Sequence, residues 1–382
     1  MDYLIIGSGV AGISAVKELV KERSADDNIT VITKESYPFY YRPRLINCLS
    51  GNIDVEDIII NDFEWFDEND IDLRIDERVH TVDPDEKNVE TNKNKYSYDK
   101  LLLANGAHSF VPPIEGREKE NIFTLRNAKE AKEIHKKASE KDRAVVIGGG
   151  LLGLESAYNL QQAGLEVTIV EMADHCLARQ LDFRGGQLLQ KKLEDKGLNF
   201  ILNGQTVRFS GENTVKAVHL KDGREIETDM VLISAGIRSN IELVEDTPIE
   251  TNKGITVNNF METNIADIYA AGDVAEHDGR VYGIWAPSME QGAVAGKNMI
   301  GIKDKFEGYV SSYSLKVVGV DVVSIGKIEA EDLDCKEELE EDEDSYKKII
   351  KKDEVPIGAI MIGDTSGKKE LVKRIEEAPE TQ

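Results

Sequence analysis

DYLIIGSGVAGISAVKE, residues 2–18, is the stretch that decides how this chain is read. Tyr3-Leu4-Ile5-Ile6 is an apolar run of the length of one buried strand. Gly7, Gly9 and Gly12 follow at G-x-G-x-x-G spacing, and helical periodicity then starts at Ile13, Val16, Leu19 and Val20. Gly7 allows the tight turn out of the strand, Gly9 lets a pyrophosphate approach a backbone without a Cβ, and Gly12 lets helix and strand pack closely. The helix start offers free N–H groups and a partial positive charge to phosphate oxygens. Ile29-Thr30-Val31-Ile32-Thr33 reads as the next strand. Glu35 lies just beyond it, about twenty residues after Gly12, where a carboxylate suits a ribose diol. Glycines alone also cap helices and make plain turns. Strand, glycines, helix, strand and acid in this order imply a nucleotide-binding unit.

The unit recurs. Ala144-Val145-Val146-Ile147 is a strand, Gly148, Gly150 and Gly153 repeat the spacing, and helical Leu154 to Gln162 leads into a second strand ending at Glu171. The two fingerprints start about 140 residues apart, a domain-sized internal repeat. Two complete fingerprints imply two dinucleotides. Glu171 has no adjacent arginine, which favours the free 2′-hydroxyl of NADH over the phosphate of NADPH.

At 382 residues, 40% of them hydrophobic, the chain is expected to form two or three domains with proper cores. No apolar run approaches the roughly 20 residues of a membrane span. The N-terminus enters its first strand without a basic region or cleavage site, and Cys48, Cys176 and Cys335 form no C-x-x-C. The expectation is a cytoplasmic protein with free thiols. A net charge of −25 speaks against nucleic acid or anionic membrane as partners, since both are polyanions.

Between the fingerprints, Tyr37 to Cys48 is rich in aromatics, broken by Pro38 and Pro43, and carries Arg42 and Arg44. It reads either as a packed loop or as a wall of the cofactor site, and its position after a strand favours the wall. Tyr98 to Gly106 gives a buried strand stopped by glycine, and Pro112 to Gly116 a crossover between domains. Asp229 to Ile233 reads as a returning strand with its exit turn at Gly236. Ile265 to Asp273 is a short strand ending in glycine and acid. Asp273 could cap a helix starting near Val274 or accept a hydrogen bond from a ligand's hydroxyl chain. Eleven of the sixteen residues from Glu329 to Asp344 are acidic, expected as a solvated loop or helix face rather than a metal site. Tyr346 to Lys352, Ile357 to Ile362 and helical Lys369 to Glu377 suggest a small α+β domain.

With both fingerprints and Tyr269-Ala270-Ala271-Gly272-Asp273 in view, the chain resembles the FAD- and NAD(P)-dependent pyridine nucleotide–disulfide oxidoreductase superfamily along almost its whole length. The resemblance implies an α/β fold. Two Rossmann-like domains of the glutathione-reductase type would be followed by a small α+β domain. The FAD domain would be 1–112 and 240–305, the NAD(H) domain 113–239 and the C-terminal domain 306–382. For FAD it implies Gly7, Gly9, Val10, Ala11 and Gly12, then Lys34 and Glu35, then Arg42, Pro43 and Val79. It adds Ala104, Asn105 and Gly106, where Asn105 replaces the threonine of an A-T-G turn. Arg126 in Thr124-Leu125-Arg126, Gly272 and Asp273, and Glu290 and Gln291 complete that set. For NADH it implies Gly148, Gly150, Leu151, Leu152, Gly153, Glu171 and Gly236. Glu155 matches an acid at the nicotinamide–flavin junction.

Two departures narrow the acceptor. The C-x-x-x-x-C pair of the disulfide reductases is missing. The place of the single cysteine used by oxidases and coenzyme A disulfide reductases falls to Arg44, leaving Cys48 four residues late as a packing thiol. Tyr41-Arg42-Pro43-Arg44-Leu45 instead resembles the R-P-P-L signature of rubredoxin and ferredoxin reductases and of the flavin module of nitrite reductases. That branch usually has lysine at Asn47, so Arg44 is the cation left to stand beside Glu155. The implied activity is hydride transfer from NADH to FAD and single-electron transfer to a small acidic carrier, rubredoxin or ferredoxin, closest to the NADH:rubredoxin oxidoreductases. The rivals are an oxidase or disulfide reductase working through Cys48, and a non-catalytic FAD-binding redox scaffold. Some of Arg42, Arg44, Lys316, Lys347, Lys348, Lys351 and Lys352 are expected to form a basic collar on which the carrier docks, with no metal site.

Overall fold

The computed structural model describes residues 1–310, 312–330 and 334–378. Its first sheet is five-stranded and wholly parallel, in the order Ile268–Ala270, Lys100–Leu103, Asp2–Ile6, Asn28–Ile32, Ile71–Arg74. Parallel strands are buried on both faces, which is why Tyr3 to Ile6 and Leu101 to Leu103 are continuous apolar runs without alternation. The second sheet repeats the order with Ile122–Phe123, Met230–Ile233, Arg143–Ile147, Glu166–Val170 and Asn199–Ile201. The repetition extends past the fingerprints, because each unit also carries a three-stranded antiparallel meander. A two-stranded ribbon, Ala107–Ser109 against Ile237–Ser239, joins the units where the chain crosses out and back.

The last unit is a five-stranded antiparallel sheet with the helix Lys368–Glu376, whose Ile375 packs on Ile325 and Ala359. The other face of this sheet shares a core with the second unit, through Val317, Val322, Tyr346, Ile360 and Ile362. The fold is therefore the expected mixed α/β architecture.

Two local expectations are corrected. The acidic run is only partly the expected loop: Cys335–Glu341 is the edge strand of the last sheet, Glu329 and Asp342 to Asp344 lie in loops, and residues 331–333 lie outside the described residues. It can be a strand because its acids meet cations: three reach lysines of the next strand, and Glu341 reaches Arg184 at 3.4 Å. Glu340 pairs with Lys347 at 3.3 Å, Glu337 with Lys348 at 2.8 Å and Glu338 with Lys351. Glu340 and Lys347 are directly opposite and the other two pairs are diagonal; opposite charges so placed favour pairing, where like charges would oppose it. Asp273 caps no helix at Val274, since Ala275–His277 is extended and the next helix is Trp285–Met299.

The tightest packing in the first unit sets the helix Val10–Glu22 against the helix Trp285–Met299. A Cβ on Gly292 would lie 2.1 Å from the Ala11 carbonyl oxygen, and one on Gly296 2.5 Å from that of Ala15. Helix propensity would favour alanine by about 1 kcal/mol, but overpacking costs about 1–3 kcal/mol, and here the obstacle is backbone that cannot turn away. Gly292→Ala should therefore lower the melting temperature by several degrees. An unchanged or raised melting temperature would show that the helices can separate freely.

Candidate functional site

At the carboxyl ends of the first sheet's strands lies a cavity of about 640 Å³, a size usual for a cofactor site. Its floor is the turn from Ile6 to Ala11. Gly7 takes φ +112°, and a Cβ there would stand 2.2 Å from the Ala104 carbonyl oxygen, so only glycine lets the two strand ends meet. A Cβ on Gly9 would meet nothing within 4 Å. Gly12 stands behind the floor, where a Cβ would strike the Gly7 carbonyl. The helix Val10–Glu22 starts here with no side-chain cap and no acid in its first turn. Its leading N–H groups are left for an anion.

A chain of charges runs along the wall. Arg42 opens the short 3₁₀ helix Arg42–Ser50 and donates to Glu35 at 2.8 Å, while its guanidinium stacks 5.0 Å over the Tyr40 ring. The Tyr40 hydroxyl donates to the other Glu35 oxygen, and Arg42 also donates to the Arg126 carbonyl. Arg126 in turn donates to Asp273 and, at 3.1 Å, to the Ala107 carbonyl. Ser288 donates to the remaining Asp273 oxygen at 3.3 Å. Burial alone would raise the Glu35 carboxyl, but the Arg42 charge and the Tyr40 hydroxyl outweigh it and hold the group below the usual carboxylate range.

Lys34, Pro43, Val79, Ala104, Asn105, Gly106 and Gly272 also line the cavity. Asn105 is locked to Asn240 by two reciprocal bonds: its Nδ2 donates to the Asn240 carbonyl at 2.8 Å, and Asn240 Nδ2 returns the bond at 2.7 Å. That leaves Asn105 Oδ1 buried and without a partner among the described residues. Gln291 is buried as well, but behind the cavity rather than among the residues that line it. Its Oε1 accepts the Gly272 N–H at 2.9 Å, and its Nε2 is likewise unpartnered. An open glycine turn, an uncapped helix start and a cavity-lining residue with a buried oxygen in need of a partner fit a dinucleotide flavin.

Sequence reasoning missed Tyr40, Asn240 and Ser288. Tyr40 stood in the aromatic segment and could have been paired with Glu35 by its nearness in sequence. Asn240 carries no sequence signal, because its partner is far away in the chain.

The second fingerprint is built the same way. Gly148 takes φ +114° against the Ser234 carbonyl, and the helix Leu151–Gln162 starts at Gly150 with no side-chain cap. A Cβ on Gly153 would strike the Gly148 carbonyl, and Gly236, at φ +98°, faces open space. Leu151 is partly buried, whereas Leu152 is 39% exposed and reaches the wall of the large cavity, bringing the two units together there.

Several expected residues stand elsewhere. Arg44 and Glu290 are exposed and do not line the cavity. Glu155 lies one helical turn past Leu152, where its carboxylate accepts the Val318 N–H at 2.7 Å. Burial raises its carboxyl, against that bond. Cys48 is 5% exposed within the apolar cluster of Leu45, Leu49 and Leu125, and burial pushes its thiol up to about 11. The collar shrinks. Arg42 is committed to Glu35, Lys347 and Lys351 to the acidic strand, and the buried Lys348 to Asp182 and Glu337. Arg44 and Lys316 remain exposed, with no ion-pair partner among the described residues. No group of metal-ligating side chains occurs among them either.

Comparison with known proteins agrees with this geometry. The model of the pyridine nucleotide-disulphide oxidoreductase family matches residues 1–296, and that of the rubredoxin NAD+ reductase C-terminal domain matches residues 312–378. The chain is 39% identical over 376 residues to a nitrite reductase [NAD(P)H] of Bacillus subtilis (strain 168), covering 98% of the chain and 47% of that protein. It is 34% identical over 374 residues to an NADH-rubredoxin oxidoreductase of Clostridium acetobutylicum, covering 98% and 94%. The crystal structure of NADH:rubredoxin oxidoreductase from Clostridium acetobutylicum superposes with a TM-score of 0.85 at 33% identity, over 99% of this chain and 95% of that one. The chain thus spans about half the length of the Bacillus nitrite reductase it resembles.

The Glu35–Arg42 pair makes a pH prediction. A carboxyl depressed in the folded state adds stability above its unfolded value and loses that contribution as pH falls through the folded value. Arg42→Met leaves Glu35 buried without its cation. Its melting temperature should fall several degrees below wild type near neutral pH, and the gap should close below about pH 4. A gap that stays constant from neutral to acid pH would show that the pair adds nothing.

Proposed function

The chain belongs to the pyridine nucleotide-disulphide oxidoreductase family, whose members use FAD and NAD(P)H, and we propose that it oxidises NADH and delivers single electrons to a small iron protein of the rubredoxin or ferredoxin type. The observation that carries this reading is the setting of the thiols. No cysteine lines the large cavity, and Cys48 is walled into an apolar cluster with its thiol pushed up to about 11. A nucleophilic thiol works as the thiolate, which such burial disfavours. Agreement of residues 312–378 with a rubredoxin NAD+ reductase domain points the same way. The division at 1–112 with 240–305, 113–239 and 306–382 belongs to the proposal, supported by the two repeated sheets and the antiparallel third.

Bound FAD supplies hydride acceptance from NADH and stepwise release of single electrons. The protein's part is to hold and shield. Gly7, Gly9 and the helix start at Val10, Ala11 and Gly12 would take the pyrophosphate. Glu35 keeps acceptor capacity for ribose hydroxyls, since a carboxylate offers about four lone-pair sites and two are filled by Arg42 and Tyr40. Asp273, fixed by Arg126 and Ser288, would accept from the ribityl chain. Asn105 Oδ1 would supply one acceptor, and Gln291 would steady the Gly272 turn from behind. In the second unit Gly148, Gly150, Gly153 and Glu171 would hold NADH, with Leu152 closing the junction against water. Glu155, which accepts the Val318 N–H, would tie its helix to the last sheet, and Arg44 lies on the outer surface.

A second acceptor class follows from the 39% identity to a nitrite reductase: the same flavin unit could feed a nitrite-reducing partner. A cytoplasmic setting is part of the proposal. Among the described residues no helix is long and apolar enough to cross a membrane.

Reduced enzyme mixed in a stopped-flow instrument with rubredoxin, ferredoxin, oxygen and a disulfide should reoxidise fastest with one of the iron proteins. Cys48→Ser should keep most of that rate. Fast reoxidation by the disulfide, lost in a folded and FAD-replete Cys48→Ser variant, would restore the thiol mechanism.

Docking of an acidic carrier should rest on the cations that remain unpaired. Arg44→Glu and Lys316→Glu should each lower kcat/KM for such a carrier about three- to tenfold at low salt, less at high salt, through association. A neutral quinone should be reduced at an unchanged rate. Equal loss with both acceptors would place the damage at the flavin instead.

A further inference from the structure

The two fingerprints hold their acids by different means. Glu35 takes its hydrogen bonds from side chains, those of Arg42 and Tyr40. Glu171 takes its bonds from backbone: Oε2 accepts the Gly149 N–H, and Oε1 accepts the Ala173 N–H at 2.7 Å. The middle residue of the turn also differs, Ser8 in the first unit and Gly149 in the second. Gly149 is not one of the three spacing glycines. Its φ lies outside the left-handed region, so the backbone there suits any residue. What glycine provides is room, because a Cβ on Gly149 would lie 3.1 Å from both Cβ and Oε2 of Glu171.

We propose that Gly149 is a positioning residue for nicotinamide dinucleotide choice: it lets Glu171 fold onto the turn and fixes its carboxylate for the ribose 2′- and 3′-hydroxyls of NADH. The inference rests on the reading of Glu171 as the ribose acid. The surroundings decide where a crowding atom would act. The Gly149 carbonyl accepts the Leu177 N–H at 2.9 Å, which pins the turn from its other side. The Glu171 main chain is pinned as well, its N–H donating to Ile201 and its carbonyl accepting from Gly204, both at 2.9 Å. With both backbones held, the carboxylate end of Glu171 gives by rotation, while its Cβ, fixed to the strand end, gives only with a small shift of that main chain. A shift of a few tenths of an ångström there costs hydrogen-bond geometry to the turn and the register of the carboxylate with a diol. The phosphate end of the turn, formed by Gly148, Gly150 and the helix start, is left in place. NADPH, whose 2′-phosphate is repelled by the carboxylate in any case, gains nothing from its exact setting.

Gly149→Ala and Gly149→Ser, the latter installing the residue type of the first turn, should weaken NAD+ about five- to tenfold in calorimetric titrations. NADP+ affinity should stay within about twofold. In steady state the change should fall on KM for NADH rather than on kcat. FAD content and melting temperature report whether each variant is folded. Equal weakening of both nucleotides would mean general damage to the phosphate turn and would overturn the proposal, as would no weakening of either. Glu171→Ala measured in parallel separates the two layers. If it collapses the NAD+/NADP+ ratio while the Gly149 variants leave it intact, only the positioning role is lost. If it leaves the ratio untouched, the ribose reading of Glu171 fails and this inference fails with it.

Discussion

Four charged side chains from distant parts of the chain, Glu35, Arg42, Arg126 and Asp273, form two ion pairs along the cavity wall, joined where Arg42 donates to the Arg126 carbonyl. Buried or half-buried charges persist only when each is paired and its remaining hydrogen-bonding capacity is used. That requirement ties together the segment after the second strand, the start of the second unit and the exit of the last parallel strand. The wall can form only when all three are in place. The cavity is therefore a product of the whole assembly rather than of either Rossmann-like unit alone.

The internal repeat shows what is free to vary around a fixed constraint. Both units keep the glycine turn against a neighbouring strand's carbonyl and an uncapped helix start, because phosphate binding by backbone demands them. Around that shared geometry the surroundings diverge. The first unit encloses its acid with a guanidinium and a phenol, suited to a ligand that stays. The second holds Glu171 by backbone N–H groups alone, suited to a ligand that comes and goes.

The C-terminal sheet resolves a problem that composition poses. A strand as acidic as Cys335–Glu341 would repel itself and its neighbours, yet it forms the edge because lysines of the adjoining strand reach three of its acids, one directly and two diagonally. The same pairing spends the cations that might otherwise have met an acidic partner. Lys348 goes further, joining Asp182 of the second unit at 3.1 Å, with the Tyr346 hydroxyl on the same carboxylate at 2.6 Å. These contacts fasten the sheet to the unit that carries the second fingerprint.

Both glycine turns, their strands and helices and the acids at the strand ends were legible in the sequence, since each is local: a turn needs glycine wherever it occurs, and a buried parallel strand is apolar throughout. Fold class and family followed from those elements. The meanders that complete the repeat were half visible, as short alternating runs. Long-range partnership was not legible. Nothing near Asn105 announces Asn240, nothing near Glu155 announces Val318, and nothing in the run of acids announces the lysines that neutralise it. The aromatic segment shows the same limit: its position after a strand marked it as a wall, but which arginine turns inward depended on where Glu35 and Arg126 came to lie. Local backbone demands are written in consecutive residues, so the sequence by itself determined two dinucleotide-binding units and their order. Charge and hydrogen-bond pairing is settled by distances in space, so only the tertiary structure decided which cations and thiols remain available for chemistry.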